Sequence, residues 1–598
     1  MDSTISVKKN NFLKRYKWAL VVSFIVGFIA LAPHIIFPLQ LREEYKGIYM
    51  MQTANETEYL ARIKEITEGH WKLGSVPFYE YKNNPPLMPP NALDFLYAGT
   101  NFTTGISISN LVIVSKFFLP ALFFLLIYFL IRQLTGNKEF LSNKINAISG
   151  GLMVVLGYDL IDYSSLISYI NGVNSPGDFL LWTRPINPIF GGMLIFGFLL
   201  IFWKLYRNEI VDRKSKYLIF AAGLLFALAI MSYFFSWGII LSFLAVFGAA
   251  SLLSKNWLLF KRICLITFLG ILFSTPYLYN IYMATKNIIY KESAVRTGIF
   301  YGRQLMLNKF LILTLLIFVI VSVAVYLKNK NKGSTLFLKE KWWLVCLAMI
   351  ICGFIAFNQQ IVTGQTVWPY HFVQYTIPLS ITAIFITLYN FSYYGRSFRK
   401  IWIAIVFIAI TASLSFGVYT QTMAYKNNFE SYREKQKYAE VFDWLNNNAK
   451  KDCVVLTEDK IFFNKAITIY TDCDVYLSDF NSFMVPNERL YNNYMVFLKL
   501  QGVNESSIEE YVKKNTQDVA VHFYGAEGLV YGSTSPSFLV IKDKFINDYK
   551  KFLSEDFMDK IKKYKIDYFI VESKNKNSDF SQLPEIYSSE NFLIYSFK

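Results

Sequence analysis

The chain has little that titrates near neutral pH and little that could hold a soft metal, with four histidines and five cysteines in 598 residues. Cys264, Cys346 and Cys352 fall inside apolar runs, and no cysteine pair has CxxC or similar ligand spacing, so the sequence encodes no zinc site. Cys453 and Cys473 lie in the hydrophilic C-terminal part, where an oxidising exterior permits a disulfide, although spacing alone leaves their pairing open. No GxGxxG, Walker-type, HExxH or GxSxG motif stands in a suitable context, which removes the usual nucleotide cradle, zincin and nucleophile-elbow readings. Charge is also scarce. Only 17% of residues are charged against 54% hydrophobic and 18% aromatic, too little polar material to wet a single soluble globule of this length.

Long apolar runs account for that balance. The first, Trp18 to Leu39, follows Lys8, Lys9, Lys14, Arg15 and Lys17 and is long enough to cross a hydrocarbon layer of roughly 30 Å. It has no small-x-small cleavage site and reads as a retained anchor. Further candidate spans are Ile108 to Leu134, Ile145 to Ile161, Ile186 to Tyr206, Tyr217 to Phe235, Trp237 to Leu253, Ile263 to Tyr282, Phe310 to Leu327, Trp342 to Phe357, Phe372 to Tyr389 and Ile401 to Thr420. The fifth and sixth, parted only by SYFFSW, could instead form a broken or re-entrant pair. The expected fold is a polytopic α-helical membrane protein of about eleven transmembrane helices (residues 1–420), followed by a C-terminal α/β domain (421–598).

The net charge of +17 fits that layout and not nucleic-acid binding, because the basic residues cluster in alternate hinges. One set of hinges holds the N-terminus, Arg132/Lys138/Lys144, Lys204 to Lys216, Lys255/Lys261/Arg262, Lys328 to Lys341 (with Lys332 and Lys339) and Arg396/Arg399/Lys400. The other set is mixed in charge, and its first member, the 41–107 loop, is rich in acids. The N-terminus is therefore expected in the cytoplasm of a multi-pass cell-membrane protein, with the C-terminal domain outside. In that domain Tyr432 to Asn447, Glu488 to Leu500, Ile508 to Lys514 and Phe545 to Lys563 have helical periodicity. Cys453 to Thr457, Val519 to Phe523, Asp567 to Val571 and the final FLIYSF read as strands.

Candidate chemistry gathers on the exterior. Glu43 and Glu44 stand where the chain leaves the first span, and Glu56 and Glu58 open an amphipathic segment, ETEYLARIKEIT. Lys116 lies about two turns inside the second span, where an ionisable group suggests function. Arg184 precedes the fourth span, Arg296 and Arg303 occupy the third outer loop, and His371 begins the tenth span. Carboxylates to take a proton and cations to hold a departing phosphate are what glycosyl transfer from a lipid-linked sugar requires. Each residue also has an ordinary reading. Glu58 can pair with Arg62 on one helix face, Glu43 and Glu44 can mark the interface, Lys116 can snorkel, Arg184 can anchor a helix, and Arg296 and Arg303 can touch headgroups. Asp159, Asp162 and Asp178 read singly as solvated or helix-end acids, and His34 and His371 as packed rings.

These features together resemble the GT-C superfamily of membrane glycosyltransferases, with protein mannosyltransferase-like architecture, in an uncharacterised bacterial branch. NETEYLARI (Asn55 to Ile63) is similar to the acidic, tyrosine-containing start of that family's first loop. A leading Asp is usual there, whereas Asn55 precedes Glu56 here, which leaves Glu56, Glu58 and the Glu43/Glu44 pair as alternatives for the catalytic place. TRPINP (Thr183 to Pro188) and NQQIVTGQTVWPYHF (Asn358 to Phe372) are similar to stretches in bacterial membrane proteins of this general type. The resemblance implies inverting transfer of a hexosyl or pentosyl group from a polyprenyl-phosphate-linked sugar to a glycan, lipid or protein acceptor. Lys116, Arg184, Arg296, Arg303 and His371 would face the donor phosphate. No cofactor is fixed by it, since some members use a divalent metal ion and others none. The competing readings are a transporter or flippase of a lipid-linked or polar solute, expected to show internal repeats of the spans and charges near the bilayer midplane, and a non-catalytic surface protein.

Overall fold

A computed structural model describes residues 2–597 other than 54–55, 88, 137–140, 174, 331–339, 393–395, 459–461, 479–482, 576–579 and 581. Asn55, Lys138, Lys332 and Lys339 lie outside the described residues.

The chain opens with α1 (Asp2–Leu41), which ends in a tight turn at Arg42–Glu44. The first loop then forms α2 (Glu56–Thr67) and α3 (Ala92–Thr104). Asn91 and Asp94 form a capping box at the start of α3, and Gly105 closes it in the left-handed conformation. Next come α4 (Ile108–Leu134), α5 (Leu141–Val155), the loop helix α6 (Tyr163–Asn171), α7 (Ile189–Arg207), α8 (Arg213–Ile230), α9 (Phe234–Leu253) and α10 (Trp257–Thr285). The short α11 (Tyr290–Arg296) and β1 (Ile299–Tyr301) lead to α12 (Lys309–Lys330), α13 (Lys341–Phe357) and α14 (Gln360–Thr363). β2 (Gln365–Val367) pairs antiparallel with β1 and leads into α15 (Pro369–Ser392) and the 39-residue α16 (Arg396–Glu434).

Every apolar run named above is helical at its centre, and among the described residues nine helices are long and apolar enough to cross a membrane. They are α1, α4, α7, α9, α10, α12, α13, α15 and α16, which makes the chain a polytopic helical membrane protein. Two runs fall short of that length and composition. α8 has 18 residues but opens on the charged RKSK, and α5 has 15, a rise of roughly 22 Å. The expected third span reached Ile161; instead the helix stops at Val155 and Tyr158–Ile161 forms a separate tight turn. Asp159 is thereby left outside the helix.

The C-terminal segment adds α17 (Ala439–Asn448), β3 (Cys453–Thr457), α18 (Phe462–Tyr470), β4 (Cys473–Val475), α19 (Asn487–Leu500), α20 (Ile508–Lys514), α21 (Thr516–Tyr524), α22 (Ala526–Tyr531), α23 (Pro536–Ser554), α24 (Phe557–Ile561), β5 (Tyr568–Glu572), β6 (Glu585–Ser588) and β7 (Phe592–Ser596). The sheet order is β4-β3-β5-β7-β6, with β4, β3 and β5 parallel and β7 antiparallel to both its neighbours. Every residue of β3 and β7 is buried, as their near-continuous apolar sequences require. Val519 to Phe523, expected as a strand, lies inside α21: Val519 and Phe523 are four apart and both buried, so the same apolar letters serve a helix face. Cys453 and Cys473 are register partners of β3 and β4 and form a disulfide, with Cα atoms 4.6 Å apart.

The first loop is not a free excursion. Tyr49, Leu60, Ile63 and Phe78 share one hydrophobic core with Val455, Leu456, Tyr494 and Phe569 of the C-terminal segment. The membrane helices pack a second core of their own. Lys82 Nζ reaches Asp474 at 2.9 Å, Glu65 at 3.1 Å and Asp452 at 3.5 Å, and Lys64 reaches Asp472 at 2.7 Å, so the seam is also ionic.

Candidate active site

The connection between α5 and α7 builds most of the site. Asp162 caps α6 by accepting from Ser165 N at 2.9 Å, and Gly172 ends that helix in the left-handed conformation. The chain then returns through Pro176, Gly177 and Asp178 to the Leu181–Thr183 turn, whose C-cap is Arg184. Between this return and the middle of α16 lies a cavity of about 590 Å³. Ser164, Ser165, Ser168 and Tyr169 of α6 form one wall, and Phe416, Tyr419 and Thr420 of α16 another. Gln52, Thr53 and Arg184 close one end, and Asp159 and Asp178 also line it.

Its charges are partly desolvated. Burial, reinforced by the nearby Asp162 carboxylate, pushes the Asp159 carboxyl up to about 6. Burial also raises Asp178 above the usual carboxylate range, against the opposing pull of Arg184. Arg184 donates from Nε to Gln52 Oε1 at 3.1 Å and from Nη2 to Thr53 Oγ1 at 3.2 Å. The guanidinium is thus fixed at the cavity wall by neutral partners that leave its charge uncancelled.

Immediately behind this wall Glu56 and Lys116 meet. Lys116 Nζ is 3.0 Å from Glu56 Oε2, and both side chains are fully buried. Glu56 Oε2 also accepts from Gln52 N at 2.7 Å and Oε1 from the Tyr49 hydroxyl at 2.7 Å, while Lys116 donates to Thr183 O at 3.3 Å. The pair therefore grips the residues on either side of the Arg184 contact: Gln52, which accepts from Arg184, and Thr183, which precedes it. Both Glu56 oxygens are thus engaged.

Of the other expected site residues, Glu58 and His371 lie in the neighbourhood of Arg184 and Tyr233, and Glu43, Glu44, Arg296 and Arg303 lie elsewhere. Glu58 is half-buried on α2, where its charge acts on Arg62, Tyr59 and Tyr233, and Arg62 itself donates to Asp94 at 3.0 Å. His371 is 2.8 Å from the Tyr233 hydroxyl, stacks on Trp368, and feels the charge of Arg184. Glu44 forms an exposed pair with Arg433 at 2.7 Å, with Glu43 exposed on the same turn. Arg296 is buried, held by Ser293, Asn487 and the carbonyls of Phe483 and Val485, and burial lowers its guanidinium to about 10. It ties α11 to the C-terminal segment. Arg303 is exposed and donates to Ile361 O at 3.4 Å. Asp159 and Asp178 reach the cavity although each looked ordinary alone; the acids of YDLID ending an apolar run before the small residues of YSSLIS were the available signal.

Among the described residues one group could be considered for a metal ion: the ligand atoms of Glu65, Glu68 and His70 lie within 4.8 Å of one another. It does not fit one. Glu65 already accepts from Lys82 at 3.1 Å and contacts His70 at 2.9 Å, so a cation would have to displace an ammonium it also repels.

No protein-family model and no curated protein sequence matches the chain. Solved structures with a similar arrangement include the Archaeoglobus fulgidus oligosaccharyltransferase in complex with Zn and sulfate, at 12% identity and TM-score 0.46, over 92% of this chain and 68% of that one. ArnT from Cupriavidus metallidurans bound to undecaprenyl phosphate aligns at 10% identity and TM-score 0.44, over 98% of both chains. AglB from Archaeoglobus fulgidus, in complex with an inhibitory peptide and a dolichol-phosphate, aligns at 13% identity and TM-score 0.42, over 94% of this chain and 70% of that one. Likenesses this remote carry no conclusion about chemistry, which rests on the residues of this chain.

Proposed function

We propose that the chain is a membrane glycosyltransferase that moves a sugar from a polyprenyl-phosphate donor to an acceptor hydroxyl at the non-cytoplasmic face. The observation that carries this reading is one cavity, beside the membrane helices, lined by a carboxylate with a raised proton affinity and by an oriented arginine. Asp159, half-ionised near pH 6, is suited to accept a proton at neutral pH. The acceptor oxygen attacks the anomeric carbon and its proton passes to Asp159. The bond from that carbon to the phosphate oxygen breaks, and its electron pair leaves with the lipid phosphate, which Arg184 stabilises. Attack opposite the leaving group inverts the anomeric centre. Asp178 sets the charge around Arg184, while Glu56 and Lys116 hold the arginine's support in place.

The basic hinges support this orientation, as does the disulfide of β3 and β4, which suits an oxidising exterior. Incubation of the purified chain in nanodiscs with a polyprenyl-phosphate sugar and mixed glycan, lipid and peptide acceptors should release lipid phosphate. Replacement of Asp159 by Asn should reduce that release about a hundredfold or more. Release undiminished in both Asp159→Asn and Arg184→Ala would remove the proposal, and labelling of reduced Cys453 only from the cytoplasmic side would reverse the orientation.

A further inference from the structure

The C-terminal segment is rich in charge except in one place. From Gly528 to Ile541, GLVYGSTSPSFLVI, fourteen residues carry no charged side chain. Five of them, Leu529, Val530 and Tyr531 of α22 and Leu539 and Val540 of α23, are exposed, Val540 by 85%. Among the described residues after α16, Ile586 is the only other large apolar side chain so exposed. A clustered apolar surface on an otherwise polar segment marks a contact with something other than water. The tip is held open by its own hydrogen bonds. Glu527 reaches across it, accepting from Ser535 Oγ at 2.7 Å, Ser537 N at 2.9 Å and Ser537 Oγ at 2.7 Å, while Thr534 Oγ1 donates to Tyr531 O at 2.7 Å. Ser535 also caps α23, and Phe538 turns inward and is fully buried. The junction of the two helices is therefore fixed, with the five apolar side chains on its outside.

The place of this tip in the fold says what covers it. α22 packs on α11. Gly525, just ahead of α22, presses against the Arg296 carbonyl where a Cβ would collide, and the Tyr531 ring centre lies 6.1 Å from that of Phe300 in β1. α11 begins at Tyr290, shortly after the span α10 ends at Thr285, and β1 shortly precedes the span α12, which begins at Lys309. The connections at this rim expose apolar side chains of their own: Ile288 between α10 and α11, and Leu305 and Leu307 between β1 and α12. Two spans thus cross the edge of the hydrocarbon layer here, and the tip continues a surface that lipid already bathes. Tyr301 and Tyr531, both exposed, suit the headgroup level. We propose that Leu529 to Val540 form a membrane-contacting tip that seats the C-terminal segment on the phospholipid leaflet from which α10 and α12 emerge.

The tip is independent of sugar transfer and is tested on the full chain in nanodiscs of phosphatidylcholine and phosphatidylglycerol. Spin labels are attached to Val530→Cys and, separately, to Val540→Cys, each in a Cys264→Ser background. Cys346 and Cys352 are buried and Cys453 is bonded to Cys473, so the new thiol takes the label. Lys513→Cys, exposed on the charged α20, is the aqueous reference. Relaxation by oxygen, which concentrates in lipid, is compared with relaxation by a nickel chelate, which stays in water. The oxygen-to-nickel ratio at both tip positions should exceed the reference severalfold, and Asp159→Asn should leave it unchanged. A ratio equal to that of the reference at both positions overturns the proposal. Poor collision with both reagents would mean that protein, a second copy or another partner, covers the tip, and overturns it equally.

Discussion

The first and second loops both carry acids, and they use them in opposite ways. In the first loop, Glu56 is fully buried against Lys116 and Glu65 against Lys82, each with both oxygens engaged. In the second, Asp159 and Asp178 are raised by burial and line a cavity whose nearest cation, Arg184, is bound to neutral groups. Compensated charge builds the scaffold and uncompensated charge is left for a substrate. A dense acidic loop therefore identified the support, and two scattered acids the cavity.

The sharpest way to break this comparison is to exchange the roles. Asp159→Asn should lower sugar transfer by about 10²–10⁴-fold with the fold intact, as for loss of a general base. Glu43→Gln/Glu44→Gln should leave turnover near the native rate, measured by lipid-phosphate release. Next in size, Lys116→Met strands Glu56 in a dry interior and should cost about 3–5 kcal/mol, read as a large fall in melting temperature. Lys116→Met/Glu56→Leu should recover most of that stability without recovering activity, because the Gln52 N–H loses its Glu56 acceptor.

Acidity separates the loops as well. Folding raises the Asp159 carboxyl from 3.8 to about 6, so at pH values between those limits the unfolded chain releases its proton first and stability falls as pH rises. The penalty is absent below about 4 and complete above about 6. Asp159→Asn should accordingly melt a few degrees higher than the native chain at pH 7.5 and no higher at pH 4, while native turnover rises with an apparent midpoint near 6. The smallest effect is expected at the exposed Glu44–Arg433 pair, where Arg433→Ala should leave both melting temperature and turnover unchanged.

Much of the architecture was legible because the bilayer imposes a coarse rule: each long apolar run had to form a helix, and each did. Finer outcomes depended on partners far away in sequence. VAVHF fits a strand and a helix face equally, and its neighbours in the fold decided for the helix. The Cys453–Cys473 pairing became definite only once β3 and β4 lay in parallel register. Glu56 and Lys116 were legible as charged candidates for one site, but their pairing with each other was not. Nor was the saturation of Glu56 by Tyr49 and Gln52, because those contacts are fixed by how the loop folds back. Arg296 looked like a headgroup contact because its carbonyl partners lie almost two hundred residues later.

The unbroken α16 has a mechanical consequence. Its 39 residues, roughly 58 Å of rod, run from a basic hinge at Arg396 to Glu434 beside the C-terminal sheet. Midway, Gln421 fastens the rod to the carbonyls of Ile29 and Ala30 and to Leu180 N, and just past its end Gln436 holds Lys46 and Ile48. Phe416, Tyr419 and Thr420 belong to that same rod, so the helix that leads into the C-terminal segment also supplies a wall of the cavity.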